Sequence, residues 1–361
     1  MTSFILCLLV QILSSTIQTA TCNNSKAFPH KFPAILIFGD STVDPGNNNY
    51  ISTPFKGNHK PYGNDFPGKI PTGRFSNGKL VPDFLASIFG LKETIPPFLQ
   101  PNISDNEFIS GVSFASAGSG FDELTTAVSG VISMSRQIEY LKEYTEQLIR
   151  IVGEKEAQRI LAAALVVISA GTNDFIFNFY DIPTRRLQFS VSEYQDFLQN
   201  KLQDFVKELH HLGCRKIVVT GLPPIGCLPI QLTAKLSILR RCVDKENLDS
   251  QSYNEKLEKL LPKLQETLPG TKILYVDTYS HLMDMIKNPQ KYGFGETTRG
   301  CCGTGILEAG PLCNEGTPVC ANPSQYIFWD SIHPGELTYR YFSEQLVKEV
   351  LPKLSQTEDS C

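Results

Sequence analysis

Residues 34–49 read AILIFGDSTVDPGNNN, and the change of character after Phe38 decides how the rest of the chain is read. Five consecutive apolar residues, Ala34 to Phe38, show no polar–apolar alternation, the mark of a strand buried on both faces. Gly39 permits a sharp turn, which delivers Ser41 just beyond the strand end. Serine after a strand commonly caps a turn or helix, and a bare Gly-Asp-Ser is a weak signal. Position alone therefore makes Ser41 a candidate nucleophile and no more.

Working outward, four similar apolar runs occupy 111–115, 165–169, 216–220 and 272–276. Amphipathic stretches lie between them, near 136–152, 154–163, 193–212, 246–268, 279–287 and 335–350. In the longest-patterned of these, Tyr194, Phe197, Leu198, Leu202, Phe205, Val206, Leu209 and Leu212 recur at helical spacing. Ser192 with Gln195 supplies a cap at its start, and Gly213 a stop. Strands alternating with helices predict an α/β domain around a central parallel sheet, whose ligand site lies beyond the carboxyl ends of the strands. No repeat, low-complexity tract or linker divides the chain.

A serine hydroxyl needs a base, and the 361 residues hold six histidines. His30 lies near the start of the mature chain, His59 in a polar loop, His210 and His211 at a helix end, and His281 in a helical stretch. His333 remains, in WDSIHP at 329–334, placed by Pro334 at the first turn of the last helix. Asp330, three residues earlier, is spaced to orient its imidazole. A metal-binding Asp–His pair lacks third and fourth ligands. An oxyanion also needs donors. Gly171-Thr172-Asn173-Asp174 follows the third run, and Ala115-Ser116-Ala117-Gly118-Ser119-Gly120 follows the second; ordinary βα turns have the same composition. A Gly-x-Ser-x-Gly elbow is absent.

The composition is that of a globular protein, 41% hydrophobic and 19% charged. A net charge of −4 without a basic run gives no reason to expect a nucleic-acid partner. Residues 4–13, FILCLLVQIL, match a signal-peptide core and are too short to span a bilayer. The expectation is a signal peptide at 1–22, one domain at 23–361, export, and no stable membrane insertion. The ten cysteines agree with an oxidising compartment. Cys7 leaves with the signal. Cys227 and Cys242 flank one segment, and Cys301, Cys302, Cys313 and Cys320 cluster in another without zinc-knuckle spacing. Their connectivity is not readable, and Cys22, Cys214 and Cys361 have no assigned role. Sequons at Asn23 and Asn102 permit N-glycosylation, while Pro323 excludes the one at Asn322.

Seven blocks in order, FGDSTVDPGNNN (38–49), GRFSNGKLVPDF (73–84), GVSFASAGSG (111–120), GTND (171–174), GLPPIGCLP (221–229), CCGTG (301–305) and WDSIHP (329–334), resemble the plant GDSL esterase/lipases of the SGNH hydrolase superfamily. The resemblance runs from about residue 33 to 350. It implies a three-layer α/β/α sandwich with a five-stranded parallel sheet, flavodoxin-like in kind, and a carboxylic ester hydrolase needing no cofactor. It implies Ser41 as nucleophile, His333 as base and Asp330 as its orienting partner. The Ser41 N–H, Gly118 N–H and Asn173 side chain become the oxyanion donors. Ser113 stands where many members have asparagine, which changes a hydrogen bond supporting that loop. Cys214 stands where a small residue is usual, leaving an extra thiol or an unusual disulfide. The expected substrate is a small or polymeric ester, of lipid or cell wall. Aromatics in 50–72 and 95–108 are candidates for an acyl-pocket wall, with ordinary packing as the alternative. A non-catalytic apoplastic binding or defence protein, or an acyltransferase using an alcohol acceptor, are the competing functions on the same fold.

Overall fold

Four five-residue strands, β1 (Ile35–Gly39), β2 (Leu165–Ser169), β3 (Lys216–Thr220) and β4 (Lys272–Val276), lie side by side in that order in the computed structural model. The model describes residues 32–354. The expected leader at 1–22, the Asn23 sequon, His30, Cys7, Cys22 and Cys361 lie outside the described residues. All strand pairs are parallel, with Ile35 beside Leu165, Leu165 beside Lys216 and Lys216 beside Lys272. Their carboxyl ends therefore finish on one edge.

The segment expected as a strand at 111–115 is only partly one. It runs parallel to β1 on its outer side, with a single bridge at Ile37–Ser113 and a second from Ser113 to Pro97. Ile37 N–H donates to Val112 and Phe114 N–H to Ile37, as in a parallel ladder. At Gly39 the ladder keeps only one of its two bonds: Ser116 N–H donates to the Gly39 carbonyl, while Gly39 N–H is given to Gln137 Oε1. Counting this segment second, the spatial order is 2-1-3-4-5, the doubly wound order in which ligands bind beside the first strand.

Side chains on the strands divide between two cores, as a period of two requires. Leu36, Phe38, Val166 and Ile168 pack with the helices Met134–Val152, Glu154–Ala163, Val191–His211 and Asp244–Glu266. Ile35, Ile37, Leu165 and Val167 pack with helix Val81–Ile88 and with Leu346, Val347 and Val350 of the C-terminal helical segment. The result is the three-layer sandwich. A small parallel pair, β5 (Glu296–Gly300) and β6 (Tyr326–Phe328), stands apart from the main sheet.

Two local expectations change. Helix Val191–His211 is capped by Ser190, not Ser192: Ser190 Oγ accepts from Glu193 N–H, and the Glu193 carboxylate accepts from Ser190 N–H. Glutamate at the third helical position reciprocates the bond and fixes the start two residues earlier. His333 precedes the last helix rather than opening it, because that helix begins at Glu336 behind Gly335. Residues 328–334 fold back on themselves instead, with Phe328 bridging Pro334 and Trp329 N–H donating to the His333 carbonyl.

Disulfides join Cys227 to Cys242, Cys301 to Cys320 and Cys302 to Cys313. Cys214 is a buried free thiol, raised to about 12 by burial. No described helix is long and apolar enough to cross a membrane.

Candidate active site

Ser41 follows β1 because Gly39 lets the chain turn where a side chain would not fit. Its φ is +137°, and a Cβ there would lie 1.9 Å from the Ser169 carbonyl oxygen. Gln137 holds both polar groups of Gly39, accepting its N–H at 2.8 Å and donating to its carbonyl at 2.9 Å. Ser41 is thereby fixed at the strand edge, with Asp40 beneath it accepting from Thr42 N–H and Thr42 Oγ1. Burial raises the Asp40 carboxyl to about 6 against those bonds.

His333 arrives from the other end of the chain. Its Nε2 lies 2.8 Å from Ser41 Oγ, and its Nδ1 lies 2.7 Å from Asp330 Oδ2. A carboxylate only accepts, so Nδ1 carries the proton and Nε2 presents its lone pair to the serine hydroxyl. Asp330 is fully buried, and four donors converge on it. Ile332 and His333 N–H reach Oδ1, Tyr62 O–H reaches Oδ2 at 2.7 Å, and His333 Nδ1–H completes the set. The Phe75 ring lies against the imidazole with centroids 4.8 Å apart.

The expected donor residues also gather at this edge. Gly118 has φ +90°, a conformation that glycine adopts without strain. Gly120 has another purpose, since a Cβ there would lie 2.2 Å from Asp174 Oδ1. Among the described residues, neither Ser41 N–H nor Gly118 N–H has a protein acceptor. Asn173 is buried and donates one Nδ2 proton to the Ser119 carbonyl at 2.9 Å.

Sequence reasoning missed the residues that tie these loops together. Asp44 accepts from Gly46, Asn47 and Ala117 N–H, and burial raises it to about 6. Asn47 donates to the Ser113 and Ala115 carbonyls, and Asn48 to the Ala117 carbonyl. Asp174 accepts from Phe121 and Asp122 N–H and from the Thr125 hydroxyl, and burial raises it to about 7. The signal for Asp44, Asn47 and Asn48 was the polar density of VDPGNNN itself; Tyr62 had none. Ser113 donates to the Val43 carbonyl at 3.0 Å, so it supports the Ser41 loop.

Ser41 and Asn173 are among the residues lining a cleft of about 120 Å³. Ile332 and Pro334, on either side of His333, also line it. The interior is apolar, with Val43, Val167, Val276, Leu282, Phe342 and Leu346 among its walls. The loops 50–72 and 95–108 do not wall it. Tyr62 is buried against Asp330 and Phe98 packs on Phe114, so packing accounts for these two, whereas Phe55 lies beside Gly118 and Tyr50 is exposed. Of the other described histidines, His281 lines the cleft and pairs with Glu349 at 3.2 Å, while His59, His210 and His211 bond elsewhere.

A family model described as GDSL-like lipase/acylhydrolase matches residues 35–346. GDSL esterase/lipase At1g06990 of Arabidopsis thaliana is 51% identical over 344 residues, covering 95% of this chain and 96% of the relative. GDSL esterase/lipase At2g30310 of the same plant is 58% identical, covering 86% and 87% respectively. A third Arabidopsis thaliana relative, GDSL esterase/lipase At2g24560, is 53% identical and covers 96% of both chains. Family match and relatives agree with a carboxylic ester hydrolase, and the chain belongs to the GDSL lipase/acylhydrolase family.

Proposed function

We propose that this chain hydrolyses acyl esters with Ser41 as nucleophile, His333 as general base and Asp330 as its orienting partner. One observation carries the reading: a continuous hydrogen-bonded line from Ser41 Oγ through the imidazole to a buried carboxylate, at 2.8 and 2.7 Å. As Ser41 Oγ attacks the acyl carbon, its proton passes to Nε2, and Asp330 steadies the imidazolium. The carbonyl oxygen becomes an oxyanion that Ser41 N–H, Gly118 N–H and the second Asn173 Nδ2 proton stabilise. Collapse expels the alcohol, which takes the proton from Nε2, and leaves an acyl-enzyme. Water then repeats the sequence and releases the acid.

The apolar cleft beside Ser41 favours an ester with a hydrocarbon acyl group, a lipid or a cell-wall ester, as substrate. Three disulfides fit export through the leader at 1–22, with 23–361 as the secreted domain and no stable membrane insertion. Asn102, exposed in a turn, is the glycan acceptor that the described structure leaves open. Asn23 is the second. The chemistry is tested by turnover of a short-chain chromogenic ester. Ser41→Ala is expected to lower kcat at least about 10³-fold while leaving the fold intact; undiminished activity in that variant would overturn the assignment.

A further inference from the structure

The loop 235–241, Lys-Leu-Ser-Ile-Leu-Arg-Arg, holds three large aliphatic side chains in water. Leu236 is 83% exposed, Ile238 94% and Leu239 72%. The loop is not a loose tip. Ser237 N–H donates to the Leu232 carbonyl and Arg240 N–H to the Ser237 carbonyl. Ser237 Oγ bonds both the N–H and the carbonyl of Arg241. Arg240 grips the Thr298 and Pro229 carbonyls, and the Cys227–Cys242 disulfide closes the base. Leu236 and Arg240 adopt left-handed φ of 53° and 48°, unfavourable for both and maintained by these bonds. A built loop that presents leucine and isoleucine outward calls for an apolar partner.

The surroundings say which partner. Among the described residues, Arg240 bonds to carbonyl and hydroxyl oxygens and to no carboxylate, so no contact there neutralises its charge. Arg299 is close enough to act on Arg240 electrostatically, as is Glu296. Arg241 is the next residue, exposed like Arg299. Three arginines against one glutamate leave a net positive rim of two charges. Lys235, by contrast, is matched by Asp181 and Glu246. A second copy docking by a two-fold axis would bring the same arginines together, whereas an anionic lipid surface accepts both features: aliphatic side chains enter the acyl region and arginines meet the headgroups.

The position is apt. Helix Pro229–Ala234 joins this loop to Leu228, which lines the cleft. At six residues it spans about 9 Å. Ile230 N–H also donates to the Ser331 carbonyl, two residues from His333. We propose that residues 235–241 are a docking loop for anionic lipid–water interfaces, holding the Leu228 side of the cleft near the lipid. This surface is independent of the assignment of Ser41.

The test is co-sedimentation with phosphatidylcholine vesicles containing or lacking phosphatidylglycerol, comparing wild type with the exposed double variant Ile238→Asp, Leu239→Asp. The expected result is binding to the phosphatidylglycerol vesicles that weakens with salt and falls at least about tenfold in the variant. Turnover of a water-soluble acetate ester should be equal in the two proteins. No vesicle binding by wild type, or equal binding by the variant, would overturn the proposal. So would a wild-type dimer that the variant makes monomeric without vesicle binding, since the loop would then serve a second copy. Absence of acetate turnover in wild type would strike the hydrolase reading alone, because the vesicle arm does not depend on it.

Discussion

Asp330 receives four hydrogen bonds at a fully buried position, and the one that sequence reasoning could not supply comes from Tyr62. Ser41, His333 and Asp330 were legible because each sits in a short polar block beside apolar runs. Tyr62 lies 268 residues from Asp330, and nothing in its own neighbourhood marks it. Its hydroxyl also accepts Gly310 N–H at 2.7 Å, so it links the carboxylate to the loop that the Cys302–Cys313 disulfide closes. Burial and the adjacent Asp330 raise the Tyr62 phenol well above its ordinary range, which keeps it a donor at any working pH. Tyr62→Phe should lower kcat roughly tenfold with KM little changed, the effect of about one hydrogen bond to a charged group. With one donor fewer, Asp330 presents more charge to His333 and favours the imidazolium. The acidic limb of the kcat/KM profile should therefore move to higher pH; a kcat loss with an unmoved limb would mean that Tyr62 only packs.

At the level of elements, strand positions were readable because unbroken apolar runs have few other uses in a chain of this composition. What was not readable is which strand would be regular. The 111–115 run has strand character, yet Gln137, 98 residues from Gly39, takes the Gly39 N–H that a regular ladder would use. The Ser190 cap shows a similar limit: two serines stand near the helix start, and the glutamate partner decides between them. The turn after β1 carries the sharpest prediction. Gly39→Ala should cost at least about 3 kcal/mol and lower Tm by about 4 °C or more, because a Cβ meets backbone and φ is wrong for alanine. Gly270→Ala, at φ +72° in open space, should cost only about 1 kcal/mol. Thermal unfolding of the two variants measures the difference, and equal losses would mean that the Ser169 contact relaxes freely.

For the molecule as a whole, the cysteine count agrees with an oxidising compartment but does not give the pairing, since six cysteines permit 15 connectivities and only proximity in the fold selects one. Cys301 and Cys302 donate their N–H groups to the Phe328 and Trp329 carbonyls, so two disulfides brace the strand that leads to Asp330. A second global property was invisible in sequence: Glu246 is buried with Lys235 Nζ 3.4 Å from its Oε1, and its carboxyl is raised to about 7 by burial, partly offset by that lysine. The folded state keeps this proton while the unfolded chain loses it near 4.5. Stability contributed by Glu246 is thus present below that pH and lost as pH rises to about 7. Glu246→Gln should gain on wild type as pH goes from 5 to 8, by about 2 °C in Tm or more; a constant difference across that range would assign the charge elsewhere. The central claim, that one serine carries the chemistry, is met most directly by mass spectrometry of the whole protein after exposure to a fluorophosphonate. A single adduct should form, map to the peptide containing Ser41, disappear in Ser41→Ala and form far more slowly in His333→Ala. An adduct on a different residue, or ester turnover that continues with Ser41 fully labelled, would contradict the account.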